Sequence, residues 1–104
     1  MSDRKNILKI ASALNTDAKN VTATVQLLDE GSTVPFISRY RKEMTGSLDE
    51  VAIMKIRDEM DRLRTLDGRK ETILKTIEEQ GKLTDELRAD IEAAETLTRL
   101  EDLY

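Results

Sequence analysis

Apolar residues recur along this chain at intervals of three, four and seven, the spacing that lines one face of an α-helix. Ile7, Leu8, Ile10, Ala11 and Leu14 form the first such run and predict a helix from about Asp3 to Leu14, with Arg4, Lys5 and Lys9 turned outward. Asn15-Thr16-Asp17 interrupts the pattern, and Asp17 suits the N-cap of the next helix. Val21, Val25 and Leu28, flanked by Ala18 and Leu27, define a second helix. It should stop at Gly31, the residue type that takes the left-handed conformation past a helix end. Pro35 then opens a third, short helix to about Met44, since a missing N–H costs nothing in a first turn. That helix is expected to bury Phe36, Ile37 and Tyr40.

Ser47-Leu48-Asp49-Glu50 reads as a capping box with Ser47 at the N-cap. Behind it, Leu48, Val51, Ile56, Met60, Leu63, Ile73 and Ile77 predict a long helix to about Gln80, its stripe widened by Ile53, Leu66 and Leu74. At 1.5 Å per residue it would span roughly 50 Å. Gly68 inside it marks a bend or a tolerated cost of about 1 kcal/mol, and Gly81 ends it. Leu83-Thr84-Asp85 starts another helix with Leu87, Ile91 and Ala94 inward, and Thr98 to Glu101 makes a second capping box. That last helix opens so close to Tyr104 that the chain reads as truncated. The expected fold is all-α: helix-turn-helix-like helices over residues 1–46, then a long scaffold helix and further short helices over residues 47–104.

Composition narrows the chemistry. The chain has 104 residues, the size of one domain. Aromatics make up only 3%, so the core must be built from Leu, Ile, Val, Ala and Met. There is no His and no Cys. That removes thiol nucleophiles, disulfides, the usual zinc sites and every triad that needs imidazole. A carboxylate pair or a lysine would need burial or a charged neighbour to be tuned for catalysis, so a non-enzyme is expected. Asp85, Glu86, Asp90, Glu92 and Glu95 are scattered around a helix, as a solvated face requires, and no metal or cofactor is expected. No apolar run approaches the roughly 20 residues that span a bilayer. Nor does a hydrophobic stretch follow Met1–Asn6 as a signal peptide would need. The expectation is a cytoplasmic protein without a membrane partner.

Net charge is −4, but it is unevenly spread. Residues 1–46 carry seven Lys/Arg against five Asp/Glu, whereas residues 81–104 carry three against seven. The basic half contains two predicted helices joined by a Gly-bearing turn, the second short and basic, which are the elements of a helix-turn-helix. Arg39, Arg41 and Lys42 could hold phosphates there, and Tyr40 could stack on a base. The opposing reading pairs Arg39 and Arg41 with Asp29, Glu30 or Glu43 and places Tyr40 in the core. On the long helix, Lys55, Arg62 and Arg69 share a face, but Asp58 and Glu59 precede Arg62 at pairing distance. Such surface pairs contribute a few tenths of a kcal/mol. A heptad seam through the same helix is broken at Asp67 and Lys70, which favours packing inside a larger fold. Self-association of the isolated piece stays open.

The run Leu28-Asp29-Glu30-Gly31-Ser32-Thr33-Val34-Pro35-Phe36-Ile37-Ser38-Arg39-Tyr40-Arg41-Lys42-Glu43 closely resembles the signature near the amino terminus of the Tex family, bacterial transcription accessory proteins. The match continues through Thr45-Gly46-Ser47-Leu48-Asp49-Glu50-Val51. It returns in Ile77-Glu78-Glu79-Gln80-Gly81-Lys82-Leu83-Thr84 and in Leu100-Glu101-Asp102-Leu103-Tyr104. Ser32 and Ser38 stand where the family leads one to expect alanine, and Val34 replaces isoleucine. The resemblance implies a parent several times longer, related to a eukaryotic histone-binding transcription elongation factor. It further implies an inactive nuclease-like fold, helix-hairpin-helix units and an OB-fold RNA-binding domain downstream. The implied function is that of an amino-terminal scaffold and nucleic-acid-associated module of a Tex-like protein that binds RNA. Its implied partners are nucleic acid, RNA or DNA, met mostly through the downstream domains, and the transcription machinery. The alternative is a pure protein–protein interaction module that docks on the rest of its own chain or on that machinery.

Overall fold

The structure is a computed structural model and describes residues 2–103, apart from the side chain of Ser2. Its described residues form helices and no strand: α1 (Ser2–Leu14), α2 (Ala18–Asp29), α3 (Val34–Tyr40), α4 (Lys42–Thr45), α5 (Glu50–Glu79), α6 (Asp85–Ala93) and α7 (Leu97–Leu103). The fold is all-α, as the periodicity required. The chain groups into two compact units, one reaching to Leu63 and the other running from Arg64.

In the first unit, α1 contributes Ile10 and Ala11, α2 contributes Val21 and Val25, and α5 contributes Ile56, Met60 and Leu63 to one apolar cluster. A smaller cluster joins Leu27 of α2, Val34 and Ile37 of α3, and Ile53 of α5, with Leu28 and Leu48 at its edge. Ile37, Ile53 and Ile56 are fully buried, each contributing about 1.5–3 kcal/mol of apolar burial. In the second unit, Leu66, Ile73 and Ile77 of α5 meet Ile91, Ala94 and Leu100. Leu8 and Val51 belong to the apolar runs of the sequence but are exposed. The buried stripe of α5 passes through Ile53, Ile56 and Met60, and Val51 projects away from it.

Three helix ends follow one hydrogen-bonding scheme. After α2, Gly31 N–H donates to Leu28 O and Ser32 N–H donates to Leu27 O, both at 3.0 Å. After α5, Gly81 N–H donates to Glu78 O at 2.9 Å and Lys82 N–H to Ile77 O at 3.1 Å. After α1, Asn15 N–H donates to Ser12 O and Thr16 N–H to Ala11 O. These are paired 5→2 and 6→1 bonds that satisfy the last carbonyls of each helix when the residue past its end is left-handed. Gly31, Gly81 and Asn15 all have positive φ, at 95°, 70° and 54°.

Helix starts departed more from expectation. α6 starts at Leu83-Thr84-Asp85 as expected, and Thr84 proves to be its cap, the hydroxyl accepting from Leu87 N–H at 3.1 Å. Asp17 holds the N-cap position of α2, but its side chain makes no capping bond. Ser47 is not the N-cap of α5. Gly46 and Ser47 both have positive φ (70° and 66°) because the chain reverses there, and an N-cap needs an extended backbone. Asp49 takes the role two residues later, Oδ1 accepting from Ala52 N–H at 2.8 Å. The last helix likewise starts before Thr98: Thr96 Oγ1 accepts from Arg99 N–H at 3.1 Å. At both places a short polar side chain two residues from the expected cap, Asp49 downstream and Thr96 upstream, accepts the capping bond.

Candidate nucleic-acid interface

The basic segment is built on the turn between α2 and α3. Gly31 closes α2, and Thr33, extended at φ −83° and ψ 158°, opens α3 by accepting from Phe36 N–H at 3.3 Å. Pro35 lies in the first turn of α3, where it removes no bond. Val34 and Ile37, three residues apart, are the face that α3 buries. A helix of 7 residues has one such face, and at about 100° per residue Phe36 and Tyr40 fall to its side. This corrects the expectation that they are core: Phe36 is 38% exposed and Tyr40 60%.

The third predicted helix does not reach Met44 unbroken. Arg41 adopts φ −128° and ψ 31° and splits it. Its N–H completes α3 by donating to Ile37 O at 3.1 Å, while its carbonyl accepts from Met44 N–H and Thr45 N–H and starts α4. Thr45 is fully buried and α4 packs on α2. Arg39 and Tyr40 therefore end one helix and Lys42 begins another.

The side chains around the break form a defined group. The Phe36 and Tyr40 rings lie 5.4 Å apart, centroid to centroid, tilted at 47°, a favourable aromatic arrangement. The Arg41 guanidinium sits over the Phe36 ring, Cζ 5.0 Å from its centroid, within cation–π range. Arg41 Nη1 also donates to Tyr40 O at 3.0 Å. Arg39 and Lys42 are exposed. Among the described residues, neither Arg39 nor Arg41 forms the ion pair with Asp29, Glu30 or Glu43 that the opposing reading supposed. Of the four sequence candidates, Tyr40 and Arg41 are brought into contact, while Arg39 and Lys42 are exposed neighbours of them in the chain. Phe36 joins them, and only its spacing of four from Tyr40 signalled this in the sequence.

Of the three cations that share a face of α5, Arg62 and Arg69 are engaged in ion pairs, whereas Lys55 is exposed. Arg62 makes a two-pronged pair with Glu59, at 3.1 and 3.0 Å. Arg69 does the same with Glu101, at 2.7 and 3.2 Å, and Lys70 Nζ donates to Glu92 O at 2.8 Å. The hydrogen bonds from Arg69, helped by its charge, hold the Glu101 carboxyl below the usual carboxylate range. Arg57 turns to Asp58 at 3.0 Å. Among the described residues no group of three or more acidic side chains could hold a metal ion. No helix among them is long and apolar enough to cross a membrane.

These features define an all-α module whose exposed aromatic–cationic group stands at a helix break. The chain matches the Tex-like protein N-terminal domain over residues 4–78 and belongs to that family. It is 52% identical over 100 residues to the transcriptional accessory protein Tex of Neisseria gonorrhoeae, covering 95% of this chain and 13% of that protein. It is 50% identical over 95 residues to Protein YhgF of Escherichia coli K12, covering 91% of this chain and 12% of that protein. A more distant relative is S1 RNA-binding domain-containing protein 1 of Pongo abelii, 29% identical over 80 residues, 77% of this chain and 8% of that protein. The chain thus spans about an eighth of the length of the bacterial relatives it matches.

Proposed function

We propose that this chain is the amino-terminal scaffold and nucleic-acid-associated module of a Tex-like transcription accessory protein that binds RNA. Arg39, Tyr40 and Lys42 make the contact in this reading and Arg41 shapes it. The module is non-catalytic and works in the cytoplasm beside the transcription machinery, with most of the affinity supplied by the rest of the parent protein. One observation carries the proposal: Tyr40 is 60% exposed beside two exposed cations that form no ion pair among the described residues. An aromatic ring with flanking positive charge suits a stacked base between phosphates. The family name and the RNA-binding domain in the name of the Pongo abelii relative support the same direction.

The contact differs from that of an ordinary helix-turn-helix. There the first residues of the second helix read base edges in the major groove. Here those residues are Val34, Pro35 and Phe36, which carry no side-chain donor or acceptor, and the cations lie at the other end of α3. Phosphate holding and stacking fit this placement, and groove reading does not. A second reading is favoured by Met44, which with Phe36 and Tyr40 makes three exposed apolar side chains four residues apart. Exposed apolar side chains of this kind could dock a protein.

Fluorescence anisotropy of a labelled oligonucleotide at two salt concentrations separates the readings. Phosphate contacts release counterions, so affinity should fall with salt. The slope of log affinity against log salt should drop by about 2 when Arg39 and Lys42 both become Ala. Absent binding, or a slope that the double substitution leaves unchanged, overturns the proposal in favour of protein docking.

A further inference from the structure

We infer that Tyr40 is the seat for one unpaired base, that Phe36 is the positioning residue holding this seat, and that Arg41 fastens Phe36 instead of binding phosphate. The inference rests on the nucleic-acid reading above and narrows its ligand to strands with unpaired bases.

The assignment of roles comes from which ring surface is free. The Arg41 guanidinium lies over the Phe36 ring at 5.0 Å, and the Tyr40 ring leans on Phe36 at 47° and 5.4 Å. Phe36 is therefore engaged by both neighbours, while Tyr40 is the more open ring, 60% against 38% exposed. The arrangement also closes on itself. Arg41 Nη1 donates to the Tyr40 carbonyl at 3.0 Å, so Arg41 grips Phe36 with its charge and Tyr40 with its donor. Tyr40 is thus braced through its ring by Phe36 and through its backbone by Arg41. A ring already held in place loses little freedom when a base settles on it.

The class of ligand follows from what such a ring can meet. Every base has a π-face, so stacking is tolerant of sequence. In a duplex those faces are covered by the neighbouring pairs, and reaching one means unstacking it. Arg39, the residue before Tyr40, and Lys42, two after it, are the exposed cations left to meet the phosphates of the same strand.

The test compares three labelled ligands of equal length by anisotropy with this chain: oligouridylate, its abasic counterpart with the same phosphates, and the matching duplex. The chain should bind oligouridylate roughly tenfold more tightly than the abasic strand, the scale of one stacked base. It should favour the single strand over the duplex in the same direction. Tyr40→Ala should abolish the difference between base-bearing and abasic strands, and Tyr40→Phe should keep it. Phe36→Leu, with its fold checked by circular dichroism, should shrink that difference while abasic binding stays unchanged; a purely structural Phe36 would alter the melting temperature and leave the ratio intact. Arg41→Gln should also shrink the ratio without changing the salt slope, whereas Arg39→Ala should lower the slope by about 1. Equal affinity for oligouridylate and abasic strands, or duplex binding as tight as single-strand binding, overturns the inference and leaves the phosphate contact standing. No binding to any of the three overturns both.

Discussion

Two helical hairpins in this chain are made with the same local chemistry and display opposite surfaces. In one, α2 ends at Gly31 and α3 starts at the Thr33 cap; in the other, α5 ends at Gly81 and α6 starts at the Thr84 cap. Both helix ends use the same pair of backbone bonds, and both threonines are extended and accept from the N–H three residues on. Each second helix is anchored by one fully buried isoleucine, Ile37 in α3 and Ile91 in α6. Outside those anchors the likeness ends. Around α3 and α4 the exposed side chains include Phe36, Arg39, Tyr40, Lys42 and Met44 with one carboxylate, Glu43, whereas α6 exposes Asp85, Glu86, Asp90 and Glu92 with one cation, Arg88. The turn makes the hairpin, and what the second helix shows to solvent decides what it can bind. On the proposed nucleic-acid reading, an anionic strand is expected at the first hairpin and not at the second.

The strongest way to break this comparison is to remove the anchors. Ile37→Ala and Ile91→Ala should each lower stability by about 2–5 kcal/mol, the cost of a core isoleucine and the cavity it leaves, measured by urea unfolding followed by circular dichroism. If the hairpins are equivalent as structure and different as surface, the two losses will match. At urea-free concentrations that keep both variants folded, only Ile37→Ala should weaken oligonucleotide binding.

Next in size are the glycines past the helix ends. No atom lies within 4 Å of a Cβ added at Gly31 or Gly81, so alanine would be strained by backbone conformation alone. Gly81, with φ 70°, lies at the edge of the left-handed well, and Gly81→Ala should cost about 1 kcal/mol. Gly31, with φ 95°, lies outside it, and Gly31→Ala should cost about 2 kcal/mol. Equal melting-temperature losses for the two variants would show that the caps relax to one shape.

Smaller again are the caps. Thr33→Ala and Thr84→Ala should each cost about 1 kcal/mol by thermal unfolding, with the larger loss expected at Thr84, whose bond is shorter.

The smallest effect concerns a contrast in charge. Glu101 takes two hydrogen bonds from Arg69 and its carboxyl is held below the usual range. A carboxylate with a lowered folded pKa adds stability that is present above its unfolded value, about 4.3, and lost as pH falls through the folded value. Both side chains are more than a third exposed, so salt screens the pair and the effect is slight. Glu101→Gln should leave the melting temperature at neutral pH almost unchanged and flatten part of its fall in acid. A steep acid loss that survives the substitution would assign that pH dependence to other carboxylates.

Much of this was legible in the residues. Helix order, the stops at Gly31 and Gly81, the start at Thr84 and the buried stripe of α5 follow from period and punctuation. Gly at a helix end acts through backbone freedom, which travels with the residue. The errors have a common cause. Ser47 fits the capping pattern as well as Asp49 does, and only the reversal at Gly46 and Ser47 decides between them. Thr98 is likewise favoured over Thr96 by the Glu101 three residues on, but Thr96 accepts the capping bond. In the candidate site, the basic residues were visible, but Arg41 carries no breaker signal, so the split between α3 and α4 was not. Phe36 and Tyr40 looked like core because aromatics usually are. Their exposure depends on which side of a short helix meets Leu27 and Ile53.

The break at Arg41 has a consequence for chain cleavage. It separates helices of 7 and 4 residues, both far below the length at which a helix holds itself together in water. Arg39, Arg41 and Lys42 are three trypsin sites crowded into this stretch of short helices. Limited trypsin digestion should therefore make its first internal cut there, ahead of the many Lys and Arg residues inside the 30 residues of α5. Saturating oligouridylate should slow that cut and leave later ones unaffected. The same irregularity that brings the aromatic and cationic side chains together would then report, as a protected peptide bond, whether anything is bound to them.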